Sequence, residues 1–165
     1  MGCMSGTDDS APNDPAPNDP VEDDRLKHLA IALVAAYVHK DRDAVAEAVD
    51  GIGADGAAVT SELKVFAGFL TRRVQETGVV WKPADSRDAV AGAVADLLEP
   101  EVEFAVVTAW EAFAVGETEA AERFTRGDPL IFMHMLAAFC AAIGQAVYGP
   151  QELLSTLRIA AGIAD

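Results

Sequence analysis

Three glycines with the spacing of a phosphate-binding turn are the first residues in this chain that could do chemistry. Residues 51–56 read Gly-Ile-Gly-Ala-Asp-Gly, which is the G-x-G-x-x-G pattern of dinucleotide-binding proteins. In those proteins the glycines lie between a strand and a helix and let the backbone approach a pyrophosphate. Here the preceding residues 44–49 are alanine-rich and helical in character. The pattern therefore predicts a flexible loop between two helices, with a left-handed stop, rather than a nucleotide site.

Histidine and methionine are the next candidates, because both bind metals. Met133, His134 and Met135 are consecutive, and neighbouring residues of a helix point about 100° apart, so the three cannot converge on one ion. His28 follows Asp24 by one helical turn, but two further ligands are missing nearby, which favours a surface pair. We expect no metal and no cofactor.

Carboxylates and thiols are the candidates for acid–base or nucleophilic catalysis. Glutamates cluster at residues 99–103 and 117–122, but these are helix starts, where negative charge is favourable in any case. Cys3 lies in a polar tail and Cys140 in an apolar run without a basic neighbour, so neither a disulfide nor a reactive thiol is expected. No serine has the surroundings of a nucleophile elbow. We expect a protein that is not an enzyme.

Aromatic residues on two predicted helices form the candidate binding wall. Such side chains usually fill a core, but between helices they can also line an apolar pocket. The two interpretations stay open at this point. The candidate wall for a ligand or a partner consists of Trp110, Phe113, Phe132, His134 and Phe139.

Net charge narrows the class of partners. The chain has 27 acidic and 12 basic residues and a formal charge of −15, which repels nucleic acid and anionic lipid. Free thiols and the absence of a basic and apolar leader favour a cytoplasmic location. We expect no nucleic acid and no membrane among the partners.

One long apolar segment needs a separate interpretation. Residues 129–151 contain no Asp, Glu, Lys or Arg, and 23 residues are long enough to span a bilayer. His134, Gln145, many alanines and the lack of a flanking basic cluster favour a buried core helix instead. Association with a membrane stays open as the alternative.

The N-terminal residues differ from the rest in composition. The pentad Ala-Pro-Asn-Asp-Pro occurs twice in succession, at residues 11–15 and 16–20. Proline, acidic charge and a lack of apolar residues predict a disordered arm over residues 1–21. Residues 22–165 are then one all-helical domain.

An internal near-repeat indicates how that domain is built. Residues 42–49 read Arg-Asp-Ala-Val-Ala-Glu-Ala-Val, and residues 87–94 differ from them only by Gly in place of Glu. Each copy predicts a short helix after a longer apolar one. Asp41, Asp85 or Ser86, and Asp128 are suitable caps. Apolar periodicity predicts long and short helices in alternation, at about 22–39, 42–50, 57–77, 86–98, 101–115, 117–126, 129–148 and 151–163.

The predicted fold is an all-α, compact irregular bundle of about seven to eight helices, arranged as helical hairpins. Such hairpins present grooves to partner helices. The preferred function is therefore a non-enzymatic protein-interaction or regulatory module, which binds an unknown protein partner or itself. The alternative is a helical bundle that binds a small apolar ligand between its helices.

Overall fold

The computed structural model describes residues 20–80, 82–125 and 128–163. The predicted disordered arm falls outside this range, except for its last two residues. Those two, Pro20 and Val21, belong to the first helix, which therefore begins slightly earlier than predicted.

Eight α-helices and one short 3-10 turn account for the regular structure of the described residues. No strand occurs among them, and the predicted all-helical class is confirmed. Long and short helices alternate as expected. The helices are α1 (Pro20–Val38), α2 (Arg42–Ile52), α3 (Gly56–Glu76), α4 (Pro83–Val94), α5 (Pro100–Ala114), α6 (Thr118–Thr125), α7 (Pro129–Gly144) and α8 (Pro150–Ala161), and the 3-10 turn is Gly53–Asp55.

Helix α7 is the centre of the bundle. It packs against α1, α3, α4 and α5, and nearly all of its side chains from Ile131 to Ile143 are buried. Helix α1 also packs against α2, α3 and α8, while α5 pairs with α4 and α6. No helix in the described ranges is long and apolar enough to cross a membrane. The uncharged segment is thus a core helix, and it ends at Gly144 instead of the predicted residue 148.

Caps and prolines define the helix starts. The carboxylate of Asp41 accepts the Ala44 N–H at 3.1 Å, and that of Asp128 accepts the Leu130 N–H at 2.9 Å. Both predicted caps are confirmed. At α4 the prediction was wrong, because Pro83 takes the first helical position, where its missing N–H costs nothing. Asp85 lies inside the first turn and accepts the Lys82 N–H at 3.2 Å.

The glycine-rich segment joins two helices. Helix α2 runs through Gly51 to Ile52, and α3 starts at Gly56, so the predicted helix–helix junction is confirmed. The predicted left-handed stop is not, because Gly53 combines a φ of 53° with a ψ of −121°, outside the left-handed helical region. No strand precedes the glycines, and the strand–turn–helix context of a dinucleotide site is missing from this part of the structure.

The two copies of the internal repeat are both helical and share one buried position. Val45 of α2 and its counterpart Val90 of α4 are core residues. The first arginine of each copy forms an exposed ion pair with a different neighbour: Arg42 with Glu99 at 2.8 Å, and Arg87 with Glu111 at 3.5 Å. The repeat therefore encodes the core contact of a short helix, not a shared site.

Candidate functional site

A pocket lies where two helices flank the central one without closing over it. Helices α3 and α5 both pack along α7 but hardly touch each other. The gap between them has a volume of about 630 Å³, and Ser86 of α4 completes its lining. Volumes of about 300–1,000 Å³ are typical of small-molecule sites.

One wall of the pocket is aromatic. The rings of Trp110 (α5) and Phe139 (α7) stack with their centroids 4.4 Å apart and an interplanar angle of 27°. Phe113 lies one turn further along α5, at 5.6 Å from Trp110, and meets Phe132 edge to face at 5.7 Å. Offset and edge-to-face pairs hold rings in fixed orientations. The wall is therefore a rigid apolar surface.

The opposite wall is a single face of α3. Its lining residues recur at helical spacing and are Lys64, Ala67, Gly68, Thr71 and Arg72. Gly68 is exposed at the centre of this face, and a Cβ built on it would meet no other atom within 4 Å. A glycine inside a helix costs about 0.5–1 kcal/mol relative to alanine. Among the described residues, no packing contact requires that cost, and the space beside Gly68 is open.

Two cations stand at the solvent edge of the pocket, one turn on either side of Gly68. The ammonium of Lys64 lies 5.5 Å from the centroid of the Phe132 ring, within reach of a cation–π contact. Throughout the described ranges, no carboxylate lies within ion-pair distance of Lys64 or Arg72. No carboxylate lines the pocket either.

Trp110 lines the pocket with its ring but has a buried hydrogen-bond donor that is unsatisfied. The residue is only 4% exposed, and its indole Nε1–H finds no acceptor in the part of the chain that the structure describes. An unpaired buried donor costs about 1–3 kcal/mol. Among the other polar lining groups, the Thr71 hydroxyl donates to the Ala67 carbonyl at 2.7 Å. The pocket thus combines an apolar wall with two cations that pair with no carboxylate of the described residues.

The structure brings together most of the aromatic residues singled out in the sequence. Trp110, Phe113 and Phe139 line the pocket, and Phe132 extends their row through its contact with Phe113. His134 does not join them. Two residues before Leu136, which does line the pocket, it points to roughly the opposite side of α7.

His134 instead forms a buried pair with α1. Its Nδ1 lies 2.7 Å from the hydroxyl of Tyr37, and both side chains are buried. Burial lowers the pKa of His134 to about 4, against a smaller opposing effect of Asp128, and burial raises the pKa of Tyr37. If the neutral imidazole accepts a hydrogen bond at Nδ1 from the tyrosine hydroxyl, both the Nδ1 acceptor and the hydroxyl donor are satisfied. The pair is a hydrogen bond within the core.

Cys140 is equally enclosed. It is a free cysteine with no exposed surface, its thiol donates to the Leu63 carbonyl at 3.8 Å, and burial raises its pKa. A thiol is reactive as the thiolate, which this environment disfavours. Cys3 lies outside the described residues.

Sequence reasoning missed the whole α3 wall. Its apolar stripe pointed to the core-facing residues of α3, and the neighbouring face looked like ordinary solvent-exposed surface. The available signal was Gly68, a helix-destabilising residue in the middle of a strongly periodic helix, with Lys64 and Arg72 one turn away on each side.

A second groove, of about 730 Å³, lies beside α5 and reaches the start of α7. It contains Phe104, which is 74% exposed, and side chains of both charges, including Glu101, Arg123 and Asp128. The groove is larger than the aromatic pocket, but its lining has no stacked rings, and its charged side chains are of both signs.

Among the described residues, no group of three His, Cys, Asp or Glu side chains is placed to hold a metal ion, and Asp24 and His28 are both exposed. Comparison of the chain with family models, with curated proteins and with solved structures finds no match in any of the three.

Proposed function

We propose that this protein binds a small molecule with a largely apolar body in the pocket between α3, α5 and α7, in the cytoplasm and without chemical turnover. The observation that carries the proposal is the open space over Gly68, opposite the stacked rings of Trp110 and Phe139. A glycine inside a helix lowers the stability of the helix. Here no atom of the described residues fills the space beside that glycine, so a ligand can occupy it.

The energetics of the pocket support such a ligand. Burial of apolar surface contributes about 25 cal/mol per Å², and rings that are already stacked lose little conformational freedom when a ligand docks. The existing stacking of Trp110 on Phe139 and the edge-to-face contact of Phe113 with Phe132 therefore favour binding over rearrangement.

A neutral fluorescent probe, N-phenyl-1-naphthylamine, tests the proposal by direct titration. We expect saturable binding to the wild type, and a loss of at least about tenfold in affinity for Gly68→Leu, whose side chain would occupy the space in the pocket. The matched control is Gly92→Leu on α4, because a Cβ at Gly92 also meets nothing within 4 Å but lies outside this pocket.

The two variants separate blocking of the pocket from general damage. Both should fold, since neither position is packed, and their helix content can be checked by circular dichroism. Equal affinities of wild type and Gly68→Leu would contradict the proposal, as would no saturable binding at all. An equal loss in both variants would show that the probe binds elsewhere.

Binding of another protein is the second candidate function, and one observation favours it. Phe104 exposes 74% of its surface next to the 730 Å³ groove, where an aromatic anchor of a partner would find an apolar contact. A partner here would be a second copy of the chain or another protein. Sedimentation over a range of concentrations tests the first, and Phe104→Ser should abolish any dimer while Val65→Ser, at another exposed site, should not.

A further inference from the structure

We infer that the ligand of this pocket is an amphipathic anion, whose apolar chain lies against the aromatic wall and whose anionic group lies at Arg72. This inference rests on the proposed function and adds the charge of the ligand to it. A fatty or aryl-alkyl carboxylate has this chemistry.

The charged groups of the pocket favour an anion. Its edge has two cations, and the remaining polar side chains are the hydroxyls of Thr71 and Ser86. No carboxylate is available to receive an ammonium group or the donors of a sugar. The charged residues that line this pocket are thus all basic, although the chain has 27 acidic and only 12 basic residues. A cationic ligand would be repelled by Lys64 and Arg72, and a neutral ligand would lack the Coulomb attraction that an anion has for them.

Arg72 is the principal candidate for the anion contact. Lys64 and Arg72 are separated by two turns of α3, about 12 Å along the axis, with Gly68 between them. Lys64 already lies over the Phe132 ring, whereas no ion pair or hydrogen bond of the Arg72 guanidinium is found in the described parts of the chain. A guanidinium presents paired donors that match the geometry of a carboxylate.

Arg72 also lines another pocket, which contains two carboxylates, Asp23 and Glu62, and neither forms an ion pair with it. Asp23 is paired with Lys27 at 2.9 Å. Burial and the nearby Asp23 raise the pKa of Glu62, which is the opposite of what a bound guanidinium would do. Arg72 is therefore available to an external anion.

A series of head groups on one alkyl chain tests the inference by calorimetry. Octanoate, 1-octanol and octyltrimethylammonium share the chain and differ in charge. We expect octanoate to bind about tenfold or more tightly than the alcohol, the cation to bind most weakly, and added salt to reduce only the octanoate affinity.

Variants that remove one or both charges test whether the preference for octanoate over 1-octanol arises at this site. Arg72→Gln and the double variant with Lys64→Gln should bring octanoate to within about threefold of 1-octanol. Arg73→Gln is the matched control, because it removes the same charge from the next residue, which contacts Tyr148 and Glu76 instead of the pocket. It should retain the full preference.

The outcomes distinguish this inference from the proposed function. If 1-octanol binds as well as octanoate and Gly68→Leu abolishes both, the protein binds apolar ligands and the anion preference is wrong. If no member of the series binds, the proposed function itself fails. Vesicles of anionic phospholipid provide a separate arm: binding to vesicles alone, without dependence on Gly68 or Arg72, would overturn the pocket as the anion site.

Discussion

The pair formed by Tyr37 and His134 makes one core residue sensitive to pH. The imidazole is buried and its pKa is lowered to about 4, whereas in the unfolded chain it is near the ordinary value of 6.5. Between these two values the unfolded state binds a proton that the native state does not. Stability from this residue is therefore complete above about pH 6.5 and declines as the pH falls toward 4.

We predict that His134→Gln flattens the pH dependence of stability. Between about pH 7 and pH 5, His134 should lower the free energy of unfolding of the wild type by about 2 kcal/mol, and the glutamine variant should lack this loss. Urea unfolding at a series of pH values measures it. Parallel curves for the two proteins would show that another group carries the dependence.

At the scale of elements, a close approach of two helices explains why the last residue of α7, Gly144, is a glycine. A Cβ on this residue would lie 2.5 Å from Cδ1 and 2.7 Å from Cδ2 of Leu153. Leu153 is fully buried in α8, so a shift of its side chain would disturb the packing around it. The glycine lets α8 fold back against the end of α7, and the chain turns through residues 145–147 between them.

We predict that Gly144→Ala destabilises the bundle by about 1–3 kcal/mol, the usual cost of overpacking. The control is Gly92→Ala, the same chemical change inside α4 at a position with free space, which should be neutral or stabilising by up to about 1 kcal/mol. Chemical denaturation of both variants measures the difference. Equal stabilities of the Gly144→Ala and Gly92→Ala variants would mean that Leu153 repacks without cost.

The same contact shows what could be predicted from sequence. Helix starts carry local signals, such as Asp41 and Asp128, and these were identified correctly. Helix ends were less predictable: α4 and α7 both end four residues early, α4 just before Asp96 with its φ of 66° and α7 against Leu153. A backbone turn at a non-glycine residue and a contact between two helices leave little trace in local periodicity.

The candidate site divides in the same way. Large aromatic residues on α5 and α7 were recognisable by type, and Trp110, Phe113 and Phe139 do meet. The α3 wall was not recognised, because a pocket depends on which helices fail to touch. That is a property of tertiary packing and is invisible in a single helix.

At the scale of the whole molecule, one continuous core connects the elements. Helices α1 to α5, α7 and α8 contribute buried apolar side chains to it, and α6 packs against α5 and α7. A shared core of this kind usually unfolds cooperatively.

We predict a single unfolding transition. In a Trp81→Phe variant, Trp110 is the only tryptophan, and its fluorescence reports the packing of α5 on α7. Its thermal midpoint should coincide with that of the helical signal in far-ultraviolet circular dichroism. Loss of Trp110 packing well before loss of helix would divide the predicted single domain into separately melting units.

Because Cys140 is enclosed, the rate at which its thiol is labelled reports how often the surrounding helices separate. Its sulfur, on α7, is buried against the Leu63 carbonyl of α3. An alkylating reagent therefore reaches it only when these two helices separate. Those helices also supply two sides of the pocket. A bound ligand that holds them together should slow alkylation of this one thiol, so occupancy becomes readable as a rate of labelling without any engineered tag.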